Sequence, residues 1–403
     1  MVEDSGGRAH FGELLAVGEF RALWLAQIGS VLGDQLARVA LTLGVYEQTR
    51  SALLAAITFA ASVVPAFAGG VLLAGLADRY PRRRVMIGCD IVRMVFVLAM
   101  TVPRMPVALL VALLFAVTMA GVPFTSARAA IYPDVLAGDL YVLGTATTLT
   151  TYQFAQVLGF AFGGAAVSVA GFRGALLVDA GTFAISALFT ILWVRQRPAP
   201  RSAEAAASSR AASLVAGVRL VFSVPALRTP MLLGWLAAFY NAPEGIAAPL
   251  AAGFGAGALG VGLILAAGAL GASVGAVAFS RLAGPATRAA WMRPLAVASC
   301  ATLTLFALRP DYRLALAILF VAGLCDCYQI AAIAQFVLAT PDRQRGQAFG
   351  LAQAGMSLGQ GTAMIVAGAA AQRFAPATVV AVAGALGAVA AISISARPFR
   401  RAC

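Results

Sequence analysis

Long apolar runs alternate with short polar breaks along the whole chain. A helix needs about 20 apolar residues to cross a bilayer. Cutting at charges, prolines and glycine-rich turns predicts twelve such helices, at 20–46, 52–77, 85–103, 106–131, 141–169, 173–194, 228–252, 256–280, 291–308, 312–339, 345–373 and 375–396. They are called spans 1 to 12 below. The longest polar stretch, "VRQRPAPRSAEAAASSRAASLVAGVRLVFSVPALR", separates the sixth from the seventh. The expected organisation is therefore a tail (1–19), a six-helix bundle (20–194), a linker (195–227), a second six-helix bundle (228–396) and a short tail (397–403). Ser213 to Phe222 has the composition of a short helix lying on the membrane surface.

Composition supports a polytopic membrane protein. Of 403 residues, 61% are hydrophobic and 11% charged, and mean hydropathy is +0.89. Soluble domains carry about 25% charged residues. All 29 basic residues are arginines. They lie between apolar runs and not on one polar face, which argues against nucleic-acid binding and for loops that set orientation. With the N-terminus inside, 20 arginines fall on cytoplasmic segments and six (Arg50, Arg104, Arg173, Arg309, Arg313, Arg373) on outer loops. Both termini are thus expected in the cytoplasm of a bacterial inner membrane. The single histidine, His10, and the absence of a CxxC pair give no metal site. No cofactor is implied. No cleavable signal peptide is expected, because the first apolar run is long and carries Asp34 and Arg38.

An ionisable residue at bilayer depth costs roughly 2.5–3.5 kcal/mol on insertion scales and marks function by default. Asp34 and Arg38 are four apart in span 1 and share a helical face, so they are expected either to pair or to handle substrate or protons. Asp90 and Arg93, three apart in span 3, are expected to brace the loop before them. Arg128 has no acid one turn away, and Asp179 is placed shallow, near Arg173. Glu244 and Asp326 have no arginine nearby within their own spans, and a carboxylate desolvated without a cation is what a proton carrier needs. In "NAPEGIAAP", Pro243, Gly245 and Pro249 weaken the helix around Glu244, a pointer to a transporter binding site. Asn241, Gln329, Gln335, Gln353 and Gln360 are candidate lining residues of the same cavity.

The most polar turn among the first six spans is "AGLADRYPRRR", residues 74 to 84. It resembles the loop signature of the major facilitator superfamily, roughly G-x-L-A-D-R-x-G-R-[RK]-[RK], matching at Leu76, Ala77, Asp78, Arg79, Arg82, Arg83 and Arg84. Ala74 and Pro81 stand where that family usually has glycine. The resemblance implies an all-α fold of two six-helix bundles and a releasable latch for the outward-facing state. Asp78 would then meet Arg345 and Gly346 at the start of span 11, and Arg82 would pair with Asp134. "QVLGFAFGGAAVSVAG" in span 5 resembles the family's antiporter motif, with Phe160 where proline is usual. Its Gly159, Gly163 and Gly164 allow close helix packing. "FRALWLAQIGSVLGDQLARVAL" and "PFTSARAAIYPDVL" look like the branch of macrolide-efflux-type drug:proton antiporters.

The expected function is a secondary transporter that exports a small organic or amphipathic molecule in exchange for protons, by alternating access, as a monomer. The same fold also serves uptake symporters. A membrane enzyme is disfavoured, since there is no HExxH and no GxSxG, and ATP hydrolysis is excluded by the lack of GxxxxGK[ST]. A sensor or scaffold would be expected to carry a large soluble domain.

Overall fold

The computed structural model describes residues 10–73, 76–198, 218–219, 221–341 and 344–395, and every regular element among them is helical. The surface helix expected over 213–222 falls largely outside the described residues. Seven helices are long and apolar enough to cross a membrane: Gly18–Thr49, Val107–Val135, Asp139–Trp193, Ala258–Leu282, Pro285–Leu308, Tyr312–Ala339 and Pro376–Ser395. The third of these holds two predicted spans. Gly171, at φ 69° and ψ 179°, breaks the helical path between them, a conformation open to glycine and costly for other residues.

The four remaining predicted spans coincide with helices that are interrupted or more polar. Residues 52–77 form Ala52–Ala60, Pro65–Leu72 and Leu76–Arg79. Arg82–Met100 carries Arg82, Arg83, Arg84, Asp90 and Arg93. Residues 228–252 form Pro225–Trp235, Ala237–Tyr240, Ala242–Gly245 and Ala247–Gly253. Arg345–Ala370 is diluted by glycine and glutamine. Proline lacks the N–H that a helix interior requires, so Pro65, Pro243 and Pro249 account for much of the interruption. At membrane depth such breaks are tolerated where the freed backbone lines a cavity or is buried in protein.

Each helix group packs its own interior. Leu41, Val97, Leu114, Leu176 and Phe183 meet in one cluster among residues before the linker, and Phe20, Met86, Phe124 and Ile131 meet in another. The largest cluster crosses between the groups. It joins Val39, Leu43, Phe59 and Phe160 to Leu233, Ile246, Leu250, Val261 and Met364.

The two groups meet most tightly at one end, the end bearing the turns near residues 50, 171, 255 and 373, here called distal. A methyl built on Gly262 would stand 2.5 Å from the Phe160 carbonyl oxygen and 2.9 Å from Gly164 Cα. Only the missing side chains let these helices touch backbone to backbone. Gly368 packs likewise on Ala56 and the Ala52 carbonyl. The Gln372 amide meets Ser51 Oγ at 2.5 Å. With its oxygen turned towards the helix start, that amide accepts the N–H groups of Leu53 and Ala52 at 3.1 and 3.2 Å. No other hydrogen bond joins the two groups among the described residues.

The substitution Gly262→Val is expected to prise the distal end apart. In a variant freed of its native cysteines, a cysteine at Ala258 should then react several-fold faster with a membrane-impermeant maleimide. An unchanged rate would show that this contact does not close the distal end.

Candidate functional site

Arg93 is the organising charge of the first helix group. Its side chain is 6% exposed, and its Nη2 donates to both oxygens of Asp34, at 2.6 and 2.9 Å. Nη1 lies 3.4 Å from Ser30 Oγ and 3.9 Å from Asp90 Oδ1. The guanidinium carbon sits 4.0 Å from the centroid of the Phe183 ring, a cation–π arrangement. The sequence expectation of an Asp34–Arg38 pair is therefore corrected. Helical spacing puts these two residues on one face, but Arg93 reaches Asp34 from a neighbouring helix. Arg38 instead donates to the Ser62 carbonyl at 3.2 Å and lies 6.0 Å over Phe59.

The expected pair of Asp90 with Arg93 is present at 3.9 Å, and Asp90 has a second partner. Its Oδ2 accepts a 2.6 Å hydrogen bond from Ser186, while Oδ1 has no hydrogen-bond partner. Asp179 is also corrected. It is 1% exposed and packs beside Gly33, where a methyl would stand 2.4 Å from its Oδ1. Its carboxylate lies 3.5 Å from Thr182 Oγ1, and it makes no ion pair with Arg173 among the described residues. Gly33 is what lets Asp179 come that near the Asp34 turn. Asp34, Asp179, Arg38, Arg93 and Arg128 all line one cavity of about 230 Å³, with Gln27, Ser30 and Tyr152. Arg128 lies 5.7 Å over Phe124 and has no carboxylate within ion-pair range among the described residues.

A second cavity, about 200 Å³, lies between the groups. Gln153 and Gln156 from before the linker line it, together with Tyr240, Asn241, Glu244 and Asp326 from after it. Both carboxylates sit at helix interruptions: Glu244 in the one-turn segment Ala242–Gly245, and Asp326 between Tyr312–Cys325 and Tyr328–Ala339. The Tyr240 hydroxyl donates to Asp326 Oδ1 at 2.5 Å and accepts from Gln329 Nε2 at 2.8 Å. Span 5 lines both cavities. Tyr152 faces one and its neighbour Gln153 the other.

The sequence missed Tyr240, Gln153 and Gln156. The two glutamines were visible as polar interruptions in the apolar run of span 5, three residues apart on one face. Tyr240 carried no signal beyond its closeness to Glu244. Of the proposed lining glutamines, Gln329 acts through Tyr240, whereas Gln335, Gln353 and Gln360 line neither cavity. Gln353 is exposed. On the opposite side of the interrupted seventh span, Ala238, Phe239 and Ala242 face an apolar groove of about 780 Å³.

At the end opposite the distal contacts, Arg82 Nη1 donates to Asp134 at 2.9 Å and to the Ala130 carbonyl at 2.7 Å. Arg83 donates to the carbonyls of Thr190 and Ile191, at 3.3 and 2.5 Å, where a cation suits the end of a helix. A pair the sequence did not suggest joins Arg197 to Glu19, at 2.5 and 3.1 Å; Arg197 Nε also lies 3.9 Å from Asp134. Arg79 is exposed. The expected meeting of Asp78 with Arg345 and Gly346 lies outside the described side chains. Gly159 and Gly163 pack against span 1, at Gln35 and at Leu36 and Val39, while Gly164 packs against span 8.

Removing one partner of a buried ion pair leaves an uncompensated charge, at about 3–5 kcal/mol. Arg93→Leu should lose about that much stability in detergent unfolding. Asp34→Asn leaves the buried Arg93 guanidinium without its main partner and should lose a comparable amount. Little or no loss in either variant would contradict the assignment of Arg93 as the buried centre.

Comparison with known proteins gives a consistent result. The model of the Major Facilitator Superfamily matches residues 23–325 and 245–401. The enterobactin exporter EntS of Citrobacter koseri is 28% identical over 346 residues, covering 82% of this chain and 80% of that protein. EntS of Shigella boydii serotype 4 is 26% identical over 342 residues, with the same coverage. Among solved structures, a POT family transporter in complex with 5-aminolevulinic acid superposes with a TM-score of 0.72 at 13% identity, covering 96% of this chain and 97% of the other. The nucleoside transporter NupG gives 0.66 at 16% identity, covering 94% and 99%. These structures share the fold. The chain belongs to the Major Facilitator Superfamily and is a multi-pass membrane transporter of a small molecule, not an enzyme.

Proposed function

We propose that this transporter exports a small organic molecule from a bacterial cytoplasm across the inner membrane, in exchange for protons. The observation that carries the reading is the pair of carboxylates, Glu244 and Asp326, set at helix interruptions in the cavity between the two helix groups. Neither has an arginine within ion-pair range among the described residues. A carboxylate so placed can take up and release a proton as the cavity changes access, and broken helices at the midplane are where transporters bind substrate and coupling ions. The EntS relatives support export as the direction.

In this reading the bundles are residues 20–194 and 228–396, and they rock about the cavity as a monomer. Both termini lie in the cytoplasm, as the arginine bias indicates. Asp34, Arg38 and Arg128 serve substrate or proton handling in the first cavity. The loop of Asp78, Arg79, Arg82 and Arg83, with Asp134, Arg345 and Gly346, latches the cytoplasmic side when the transporter faces outward. In this reading the distal closure corresponds to the inward-facing state.

The test uses proteoliposomes holding a pH-sensitive dye, challenged with a panel that includes enterobactin and other catecholate siderophores, amino acids and dipeptides. Wild-type protein should couple movement of at least one compound to proton flux. Glu244→Gln should cut that coupled flux at least about tenfold, the equivalent of about 1.4 kcal/mol, while leaving protein insertion intact. Full coupling in Glu244→Gln would contradict the assignment.

A further inference from the structure

The start of span 2 is completed by a side chain from the other helix group. A helix leaves its first four N–H groups without partners of its own. In Ala52–Ala60 these belong to Ala52, Leu53, Leu54 and Ala55. The Ser51 carbonyl takes the N–H of Ala55 at 3.2 Å, and the Ser51 hydroxyl, as N-cap, takes that of Leu54 at 3.2 Å. The remaining pair goes to Gln372, whose oxygen accepts from Ala52 at 3.2 Å and from Leu53 at 3.1 Å. The same oxygen accepts the Ser51 hydroxyl at 2.5 Å. The reverse orientation would set the amide NH2 against backbone donors, so the network decides which way the amide points.

The second helix group holds Gln372 in place for this contact. The residue lies in the turn that closes Arg345–Ala370, where Gln372 donates its own N–H to the Ala369 carbonyl, and Arg373 and Phe374 donate theirs to Ala370. Gly368 precedes it by four residues. A methyl on Gly368 would stand 2.4 Å from Ala56 Cβ and 3.0 Å from the Ala52 carbonyl oxygen. The bare glycine therefore lets span 11 come close enough for the amide to reach the helix start.

This cap exists only while the groups touch at the distal end. When they part, the Ser51 contacts travel with their own helix, whereas Ala52 and Leu53 lose a partner that stays on the other group. We infer that Gln372 is a gating residue: it lends span 2 part of its N-terminal cap across the interface and so sets how often the distal end opens. The inference rests on the two groups moving as bodies, and it names the side chain that weights one state against the other. An amide gives that weight without charge. A carboxylate of the same length would accept these N–H groups more strongly and meet the positive end of the helix. Arg50 and Arg373, the sequence neighbours of Ser51 and Gln372, would act in the same direction. An apolar side chain would supply no acceptor.

The experiment uses the full-length protein in lipid nanodiscs, freed of its native cysteines and carrying Ala258→Cys. The Ala258 carbonyl lies against Gly164 at the distal contact, so the rate of reaction with a membrane-impermeant maleimide reports distal opening. Gln372→Met should raise that rate about fivefold, the size of effect that loss of a helix cap produces. Gln372→Glu, which keeps the length and the acceptor, should react no faster than the unsubstituted protein. The contrast between the two separates gating from misfolding, which would expose the probe in both.

An unchanged rate in Gln372→Met would overturn the proposal. Equal acceleration in Gln372→Met and Gln372→Glu would do so too, since the acceptor would then carry no weight. The reaction needs neither a transported compound nor a proton gradient. Failure of coupled flux in vesicles would therefore remove the export reading and leave this assignment standing.

Discussion

A charge placed inside a lipid-embedded bundle must find an opposite charge, a hydrogen-bond donor or water, and that constraint organises this molecule. Arg93 satisfies it within the first helix group, through Asp34, Ser30 and the face of Phe183. Asp90 satisfies it in part through Ser186, and Asp326 through Tyr240. Among the described residues, Arg38, Arg128 and Glu244 make no ion pair, although Asp34 and Asp179 line the same cavity as the two arginines. These unpaired charges border the two polar cavities, where a proton or a ligand can meet them.

The same constraint explains the shape of the helices. Backbone groups in lipid must be satisfied within the segment, and long continuous helices such as Val107–Val135 and Ala258–Leu282 meet that demand. Interruptions occur where the chain borders the interface, at Glu244 and Asp326. Against these irregular elements the glycine contacts supply the complement. Gly164 and Gly262 bring backbones together where the distal end is shut. One end thus has close, largely apolar contact, and the polar cavity lies at a distance from it. Two packed bodies with a contact at one end and charge at the centre form an arrangement suited to rocking.

Much of this was legible in the sequence. Apolar length located the helices, and the proline–glycine cluster around Glu244 announced its interruption. The pairing of Arg82 with Asp134 followed from the family resemblance, and the structure places the two 2.9 Å apart. The partners of intramembrane charges were not legible, because helical spacing reports neighbours on one helix and the decisive neighbours lie on others. Asp34 was therefore given to Arg38 instead of Arg93. Asp179 was read as shallow from its distance to a helix end, although Gly33 admits it to the interior. Gln353 and Gln360 illustrate the converse limit: polarity in an apolar run does not say which way the side chain faces. Asp326 was found by its isolation, but its helix break had no proline to reveal it.

The central claim is that the two helix groups move as bodies about the charged cavity, with opposite ends closing in turn. Pulsed electron-spin distance measurements test it most directly, using label pairs at Arg50 and Phe374 for the distal end and at Tyr80 and Leu338 for the opposite one, all on exposed positions. The account predicts that changing the proton load lengthens one distance as it shortens the other. Distances that stay fixed, or that change together in the same direction, would contradict it.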